Sequence, residues 1–253
     1  MSLPKSFLSL APLKPPVVLL SASVPSAERA ARYRRTPQTH LEVEAAVISM
    51  VRATLSAGGS MVFGGHPSIS PLVATVATEY FGPTSREKGF APEHIRVYQS
   101  VAFRGSLPDE TLSLLRLGHV YIRWTAAIAG ERFSSDLPED QPFCPQSLTE
   151  MRRLMIEESR PDALVCIGGM EGVEKEFEAF DAWRRTHSSP RPVYVIAATG
   201  GAAELLARAG EGRVKVIDRE IQGRLSKLRT QPRREGVTPY PLIMQTLIGE
   251  LLH

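Results

Sequence analysis

The sequence predicts an α/β fold built on a doubly wound, mainly parallel sheet of about seven strands, with helices on both faces. Short apolar runs typical of buried parallel strands alternate along the chain with segments whose apolar residues recur at helical spacing. Two of these runs, within 60–70 and 163–172, end in Gly-Gly and lead directly into a helical pattern. Glycines let the backbone turn sharply there and approach a ligand closely.

The first half of the chain contains four of the expected strands, at residues 17–20, 61–63, 95–100 and 119–124. The helix behind the first strand begins at the capping-box pattern Thr39-x-x-Glu42 and ends at a glycine pair, 58–59. The next helix begins at Pro71, with Ser70 as its N-cap. Strands and helices therefore alternate, as a parallel sheet requires.

The second half contains three further strands, at residues 163–167, 193–197 and 214–217. A helix begins at a second capping box, Ser147-x-x-Glu150, and continues to Ser159. Helices are also expected at about 173–185, after the glycine pair at 200–201 and at 241–252. This order predicts a Rossmann-like fold with one domain over 17–253, after a Pro-rich lead-in over 1–16.

The composition is that of an ordinary soluble globular protein, with 43% hydrophobic and 23% charged residues in a chain of 253. The net charge of +3 is mild, and the basic residues are scattered apart from a modest cluster at 224–234, which argues against a nucleic acid partner. No apolar stretch is long enough to span a bilayer, so no membrane partner is expected. The lead-in contains four prolines and lacks the apolar core of a signal peptide.

The two cysteines, Cys144 and Cys166, predict neither a disulfide framework nor a zinc site, and they fit a reducing cytoplasm. The six histidines have no metal-ligand spacing. The sequence has no G-x-G-x-x-G motif after the first strand, no P-loop and no G-x-S-x-G elbow, which argues against a dehydrogenase, an ATPase and a serine hydrolase. No cofactor is therefore predicted.

The first glycine turn has the chemistry of a phosphate site. Its candidate residues are Gly64, Gly65, His66, Ser68 and Ser70. The turn has no carboxylate, and it offers backbone N–H groups, two hydroxyls, an imidazole and the start of a helix, all of which suit a phosphate. The alternative is a tight strand–helix junction with His66 as an ordinary surface residue.

The second glycine turn is acidic and therefore suits a sugar. Its candidate residues are Gly168, Gly169, Met170, Glu171, Gly172 and Glu176. Carboxylates repel a phosphate, but they accept hydrogen bonds from ribose hydroxyls and can stabilise an oxocarbenium-like centre. The alternative is that acidic residues such as Glu174 only complement the helix dipole.

Further candidates lie on neighbouring elements. Gln99 lies near the end of the third strand, where ligands of open α/β sheets gather, and Ser21 and Ser23 follow the first strand at the same edge. Arg152 and Arg153 lie early in the helix before the fifth strand, where a guanidinium can reach a phosphate or a carboxylate of the second turn. Adjacent helix residues point about 100° apart, so only one of these arginines is expected to face the site.

The order of these features resembles the SLOG superfamily, which includes the LOG (lysine-decarboxylase-like) proteins, the DNA-processing Smf/DprA proteins and sensor-type SLOG domains. The LOG pattern is GGGxxGLMG at the first turn and PGGxGTxxE at the second, with an arginine on the preceding helix; the chain has GGHPSIS and IGGMEGVEKE at these places. Allowing one inserted residue, Glu176 matches the motif glutamate, and Arg153 or Arg152 matches the arginine. With Ile167 at the motif's proline and Val173 at its threonine, the chain is more similar to sensor-type domains than to LOG hydrolases.

The resemblance implies a nucleotide or nucleotide-derived ligand, such as an ADP-ribose derivative or a nucleoside monophosphate, bound by a homodimeric sensor in a bacterial defence or stress system. It leaves open whether the chain is an enzyme. A second hypothesis is a phosphoribohydrolase-type N-glycosidase, in which Glu176 stabilises the oxocarbenium-like sugar and Arg153 or Arg152 orients it. A third hypothesis is a DNA-handling protein like Smf, which would use Arg224, Lys227, Arg229, Arg233 and Arg234. A fourth hypothesis is a purely structural subunit.

Overall fold

The computed structural model describes residues 14–26, 32–33, 36–81, 94–107, 109–115, 120–133, 144–210, 212–228 and 238–253. Most of the expected lead-in lies outside these residues, as do His119 and the basic residues Arg229, Arg233 and Arg234. Arg224, which belongs to the same basic cluster, is described and forms an ion pair with Glu220 one helical turn before it.

Among the described residues, seven strands alternate with eight α-helices. The strands are β1 (Val17–Ser23), β2 (Ser60–Phe63), β3 (Ile95–Ser100), β4 (Val120–Thr125), β5 (Ala163–Gly168), β6 (Val193–Ile196) and β7 (Lys215–Val216). The helices are α1 (Thr39–Ser56), α2 (Ser70–Phe81), α3 (Asp109–Leu115), α4 (Pro145–Ser159), α5 (Glu171–Thr186), α6 (Gly201–Ala209), α7 (Ile217–Leu228) and α8 (Tyr240–Leu251). Short 3-10 segments follow β3 at Val101–Ser106 and β6 at Ala197–Thr199.

The strands form one sheet in the order β4-β3-β2-β1-β5-β6-β7, and every neighbouring pair is parallel. The predicted Rossmann-like α/β fold is therefore confirmed. The chain first builds the sheet outward from β1 to β4, and then returns to the other side of β1 with β5. This reversal is the topological switch point, and open α/β sheets bind ligands in the crevice at the carboxyl ends of the strands there.

Alternate residues of β1 pack against two hydrophobic cores, one on each face of the sheet. Leu20 belongs to the core that α1, α2, α7 and α8 cover, and Val24, just after the strand, packs against the same core. Leu19 belongs to the core under α4, α5 and α6. Because every second side chain of a strand lies on the same face, Ser21 and Ser23 lie on the face of Leu19 and point toward α4 and α5.

β1 is longer than predicted, because Ser21 and Ser23 continue the strand instead of forming a turn. Parallel pairing with β5 extends as far as Ser23, which lies opposite Gly168. The pairing is a long-range interaction, and the small polar residues at 21–23 gave no local sign of it. As a result, both serines have fixed positions at the edge of the sheet.

Helices α3 and α7 were not predicted. In α7 the residues that pack on the core, Ile217, Ile221 and Leu225, recur at helical spacing, but charged residues surround them and the segment resembles a polar loop. α3 is only seven residues long and supplies Leu114 to the core. Short helices stabilised mainly by tertiary packing give a weak local pattern.

Both predicted capping boxes are wrong, because their side chains bind other partners. α1 begins after Gln38 without a side-chain cap, and the Thr39 hydroxyl accepts a hydrogen bond from the Thr36 N–H (2.8 Å). The Glu42 carboxylate accepts one from the hydroxyl of Tyr240 in α8 (2.5 Å). α1 therefore gains a tertiary link to α8 in place of the local cap.

The start of α4 is capped from a distant loop. The Glu131 carboxylate accepts hydrogen bonds from the N–H groups of Gln146 (2.9 Å) and Ser147 (2.7 Å), while the Ser147 hydroxyl accepts one from the Ile128 N–H (3.0 Å). These bonds fix the first turn of the helix that carries both candidate arginines. Within the part of the chain that the structure describes, no helix is long and apolar enough to cross a membrane.

Candidate functional site

The carboxyl end of β1 lies between the two glycine turns and is bonded to both. The first turn follows β2 and the second follows β5, and these strands flank β1. The Gly169 N–H donates to the Ser23 carbonyl oxygen (2.7 Å), and the Val24 N–H donates to the Ser68 hydroxyl oxygen (3.3 Å). The two turns that the sequence predicts as one site therefore meet at a single strand end.

The two glycines of the second turn are required by close packing. Both have positive φ, and a Cβ atom on Gly169 would lie 2.1 Å from Cγ2 of Val173. The Gly168 N–H donates to the Thr199 hydroxyl oxygen (2.7 Å), and the Gly169 N–H is bound to Ser23. Both N–H groups are therefore used inside the fold, and these glycines shape the turn without offering donors to a ligand.

The first turn is organised by His66. Its carbonyl oxygen accepts hydrogen bonds from the N–H groups of Ile69 (3.0 Å) and Ser70 (2.9 Å) and from the Ser70 hydroxyl (3.1 Å). Its Nδ1 atom accepts a bond from the Ser68 N–H (3.2 Å). Ser70 is fully buried, so it stabilises the start of α2 and does not reach the crevice, whereas His66 and Gly64 are solvent-accessible.

A polar cluster of Ser21, Arg152 and Glu176 lies between β1, α4 and α5. The Ser21 hydroxyl donates to Oε2 of Glu176 (2.5 Å), and Nε of Arg152 lies 3.7 Å from Oε1 of the same carboxylate. A Cβ atom on Gly64 would lie 3.6 Å from that Oε1 atom, so the first turn passes directly over the carboxylate. We call these three residues the β1 polar cluster.

The two candidate arginines point in different directions. Arg152 is only 9% exposed and faces Glu176. Arg153 is exposed and forms ion pairs with Glu150 and Glu157 on its own helix. The structure therefore brings Arg152 into the β1 polar cluster and leaves Arg153 on the solvent face of α4.

The remaining candidates surround the cluster at different distances. A Cβ atom on Gly172 would lie 3.9 Å from a terminal nitrogen of Arg152, and one on Gly65 would lie 3.7 Å from Nε2 of Gln99. Met170 is buried, and its sulfur accepts a hydrogen bond from the Ser26 N–H. Glu171 is exposed, and its carboxylate lies 4.0 Å from the guanidinium of Arg32.

Two contacts of the second turn were not predicted from the sequence. Thr199 holds Gly168 and follows β6, in a Thr-Gly-Gly segment that repeats the pattern of the two other turns. Tyr33 is buried against the α5 face, and its hydroxyl donates to Glu174 (2.8 Å). Glu174 thus binds a neighbouring loop. The contact of Thr199 had a sequence signal, the glycine pair that follows it. The contact of Tyr33 with Glu174 had no sequence signal.

The environment of Glu176 favours its protonated form. Burial raises the pKa of its carboxyl, while the Arg152 charge and the Ser21 hydroxyl act in the opposite direction. Burial also raises the pKa of the nearby Cys166 thiol, with Glu176 as the second cause, so this cysteine is a neutral core residue and not a nucleophile. Among the described residues, no group of three or more His, Cys, Asp or Glu could hold a metal ion.

A family model described as the SLOG cluster3 family matches residues 32–222 of the chain. No curated protein matches the chain significantly. Among solved structures, the chain is similar to the X-ray structure of TM1055, a target of the Northeast Structural Genomics Consortium, with 14% sequence identity and a TM-score of 0.42 over 77% of this chain and 81% of that one. The family match and the Rossmann-like sheet support a nucleotide-related binding function.

The raised pKa of Glu176 has a consequence for stability. A raised folded-state pKa contributes stability that is complete below the ordinary value of 4.5 and is lost as the pH rises through the folded value. Glu176→Gln mimics the protonated carboxyl. In urea denaturation, we therefore expect the free energy of unfolding of the variant to rise relative to wild type as the pH increases from about 4 to about 8.

Glu178→Gln is the matched control, because Glu178 is exposed on the same helix. Its difference from wild type should not follow this trend. A Glu176→Gln variant that instead loses stability relative to wild type with rising pH would mean that attraction to Arg152 outweighs burial.

Proposed function

Since the chain belongs to the SLOG cluster3 family, we propose that it binds a nucleotide or nucleotide-derived ligand, ADP-ribose-like or a nucleoside monophosphate, at the carboxyl end of β1. The main support is the β1 polar cluster: a largely buried arginine and glutamate beneath the first glycine turn, at the switch point of a parallel sheet. In this proposal the protein acts as a sensor in a bacterial defence or stress system.

The state of Arg152 supports an anionic ligand. Its Nε atom is buried and has no hydrogen-bond partner among the described residues, although Glu176 lies 3.7 Å away. A buried charged donor without a partner is costly, and a phosphate would supply the missing acceptors. The planar guanidinium can bind two phosphate oxygens at once, which favours Arg152 as the anchor.

The other candidates take roles that follow from their positions. We assign the phosphate to the space between Arg152 and the solvent-accessible residues of the first turn, Gly64, His66 and Ser68. Glu176 accepts a hydrogen bond from a ribose hydroxyl when it is ionised. Gln99 and Met170 form the edges of the site, and Ser21 orients the Glu176 carboxylate through its hydrogen bond.

The proposal includes a homodimer in the cytoplasm. Both cysteines are free thiols, which is in keeping with a reducing compartment. The dimer rests on the family resemblance alone, and sedimentation velocity of the purified chain tests it directly.

Arg152→Ala and its neighbour Arg153→Ala form a matched pair for testing the proposal. In calorimetric titrations with ADP-ribose and AMP, we expect Arg152→Ala to lose roughly 10- to 100-fold in affinity, because a charge-assisted hydrogen bond is removed. Arg153→Ala should bind like wild type, since the ion pairs that the structure describes for Arg153 join it to Glu150 and Glu157 of its own helix.

Arg152→Lys keeps the charge but loses the planar fork, so its affinity should lie between those of wild type and Arg152→Ala. Unfolding curves of all three variants establish that they are folded. Equal losses in Arg152→Ala and Arg153→Ala, or no binding of either compound by wild type, would refute the proposed site.

A second function, N-glycosidic hydrolysis of nucleoside monophosphates, is favoured by the raised pKa of Glu176 beside Arg152. In such a reaction water adds to the anomeric carbon, the carbon–nitrogen bond breaks, and the base leaves with a proton. A buried carboxyl group whose pKa is raised can transfer that proton or stabilise the oxocarbenium-like sugar.

Chromatography of wild type incubated with AMP, other nucleoside monophosphates and NAD tests for release of free base. If the protein is a hydrolase, base release should fall by at least about 100-fold in Glu176→Gln and remain unchanged in Glu178→Gln. Saturated binding by wild type without any release of base would identify a binding protein and exclude the hydrolase.

A further inference from the structure

A cavity of about 370 Å³ opens at the carboxyl end of β1, on the opposite face of the sheet from the β1 polar cluster. It is lined by Val24, Pro25, Thr36, Pro37, Thr39 and His40. Pro25 and Thr39 are buried and Val24 is half-buried, so they form its floor. Thr36, Pro37 and His40 are exposed and form its mouth.

The lining of this cavity suits a flat, uncharged ring better than a phosphate. Half of the described lining residues are apolar, and none of these described residues is a lysine or an arginine. In the first turn of α1, the Thr39 N–H donates to the Thr36 carbonyl oxygen and the Glu42 N–H donates to the Gln38 carbonyl oxygen (both 3.0 Å). Neither of these two N–H groups is therefore available to bind a phosphate. The Glu42 carboxylate in the same turn would repel an anion.

The polar groups of the cavity fit the edge of a heterocycle. The Thr36 hydroxyl and the His40 imidazole can each donate or accept a hydrogen bond at the mouth. A proline face and a valine side chain can pack against the ring. Small-molecule sites typically combine such apolar walls with a few polar groups that fix orientation.

The alternation of β1 connects the cavity to the β1 polar cluster. Ser21 faces α5 and binds Glu176, whereas Val24 faces α1 and lines the cavity. Three strand residues span roughly 10 Å, a distance that a nucleoside phosphate can bridge. The bridge would cross the strand end where Ser68 binds the Val24 N–H.

We propose that this cavity is the base subsite of the ligand: the heterocyclic base lies between Val24, Pro25 and the α1 start, and the sugar phosphate crosses β1 to reach Arg152. The inference rests on the proposed function. It adds that the ligand has an uncharged heterocyclic base and occupies both faces of the switch point.

Calorimetric titrations with AMP and with ribose 5-phosphate, which lacks the base, separate the two subsites. Wild type should bind AMP at least about tenfold more tightly than ribose 5-phosphate, because only AMP fills the cavity. Thr36→Trp, which places a bulky ring at the mouth, should remove that advantage and leave the affinity for ribose 5-phosphate within about twofold of wild type.

Ala45→Trp adds the same bulk at an exposed position of α1 that does not line the cavity, and it should preserve both affinities. His40→Ala provides a second, smaller change at the mouth and should weaken AMP alone. Unfolding curves confirm that each variant folds.

The outcomes separate the two proposals. If wild type binds ribose 5-phosphate and AMP equally, or if Thr36→Trp and His40→Ala both bind AMP like wild type, the base subsite is refuted while the sugar phosphate site stands. If wild type binds neither of these compounds nor ADP-ribose, the proposed function fails, and the base subsite fails with it.

Discussion

The hydrogen bond from the Gly169 N–H to the Ser23 carbonyl oxygen fixes the edge of the sheet on which the candidate site depends. It can form because Gly168 and Gly169 adopt positive φ, and a Cβ atom on Gly169 would collide with Val173. The bond holds the end of β1 against the start of α5. Ser21 and Glu176 therefore face each other across a short distance, and the first glycine turn covers them from the other side. Each part of the site is positioned through this strand end.

The β1 polar cluster contributes little to the stability of the fold, and its arginine has a donor that a bound anion could use. An ion pair that is largely removed from water contributes little to the fold, because the desolvation of both charges offsets their attraction. Here the contact is long, at 3.7 Å, and the Arg152 Nε atom lacks a hydrogen-bond partner within the described part of the chain. Arg153, by contrast, is engaged by two glutamates of its own helix. Two adjacent residues of one sequence pattern thus have different environments.

The sequence predicted the fold well, because the apolar runs and helical periods of a parallel sheet are local signals. It missed α7, whose core contacts are separated by charged residues, and it misjudged both capping boxes, because Glu42 and Ser147 bind distant partners. At the site, the conjunction of the two glycine turns was predictable from the order of elements. The burial of Ser70 and the choice between Arg152 and Arg153 were not, since both depend on the angle at which a helix docks on the sheet.

Binding of a nucleotide-derived ligand at the carboxyl end of β1 can be observed residue by residue in an NMR titration of the ¹⁵N-labelled protein with ADP-ribose. We expect ADP-ribose to shift the amide signals from the end of β1, from the turn at Gly64 to Ser68 and from the start of α5. The amides of Ser189 and Gly212 provide the internal reference, because they line an arginine-bordered cavity at the opposite edge of the sheet. Shifts confined to that opposite edge, with the signals from the end of β1 unchanged, would mean that ADP-ribose does not bind at the proposed site.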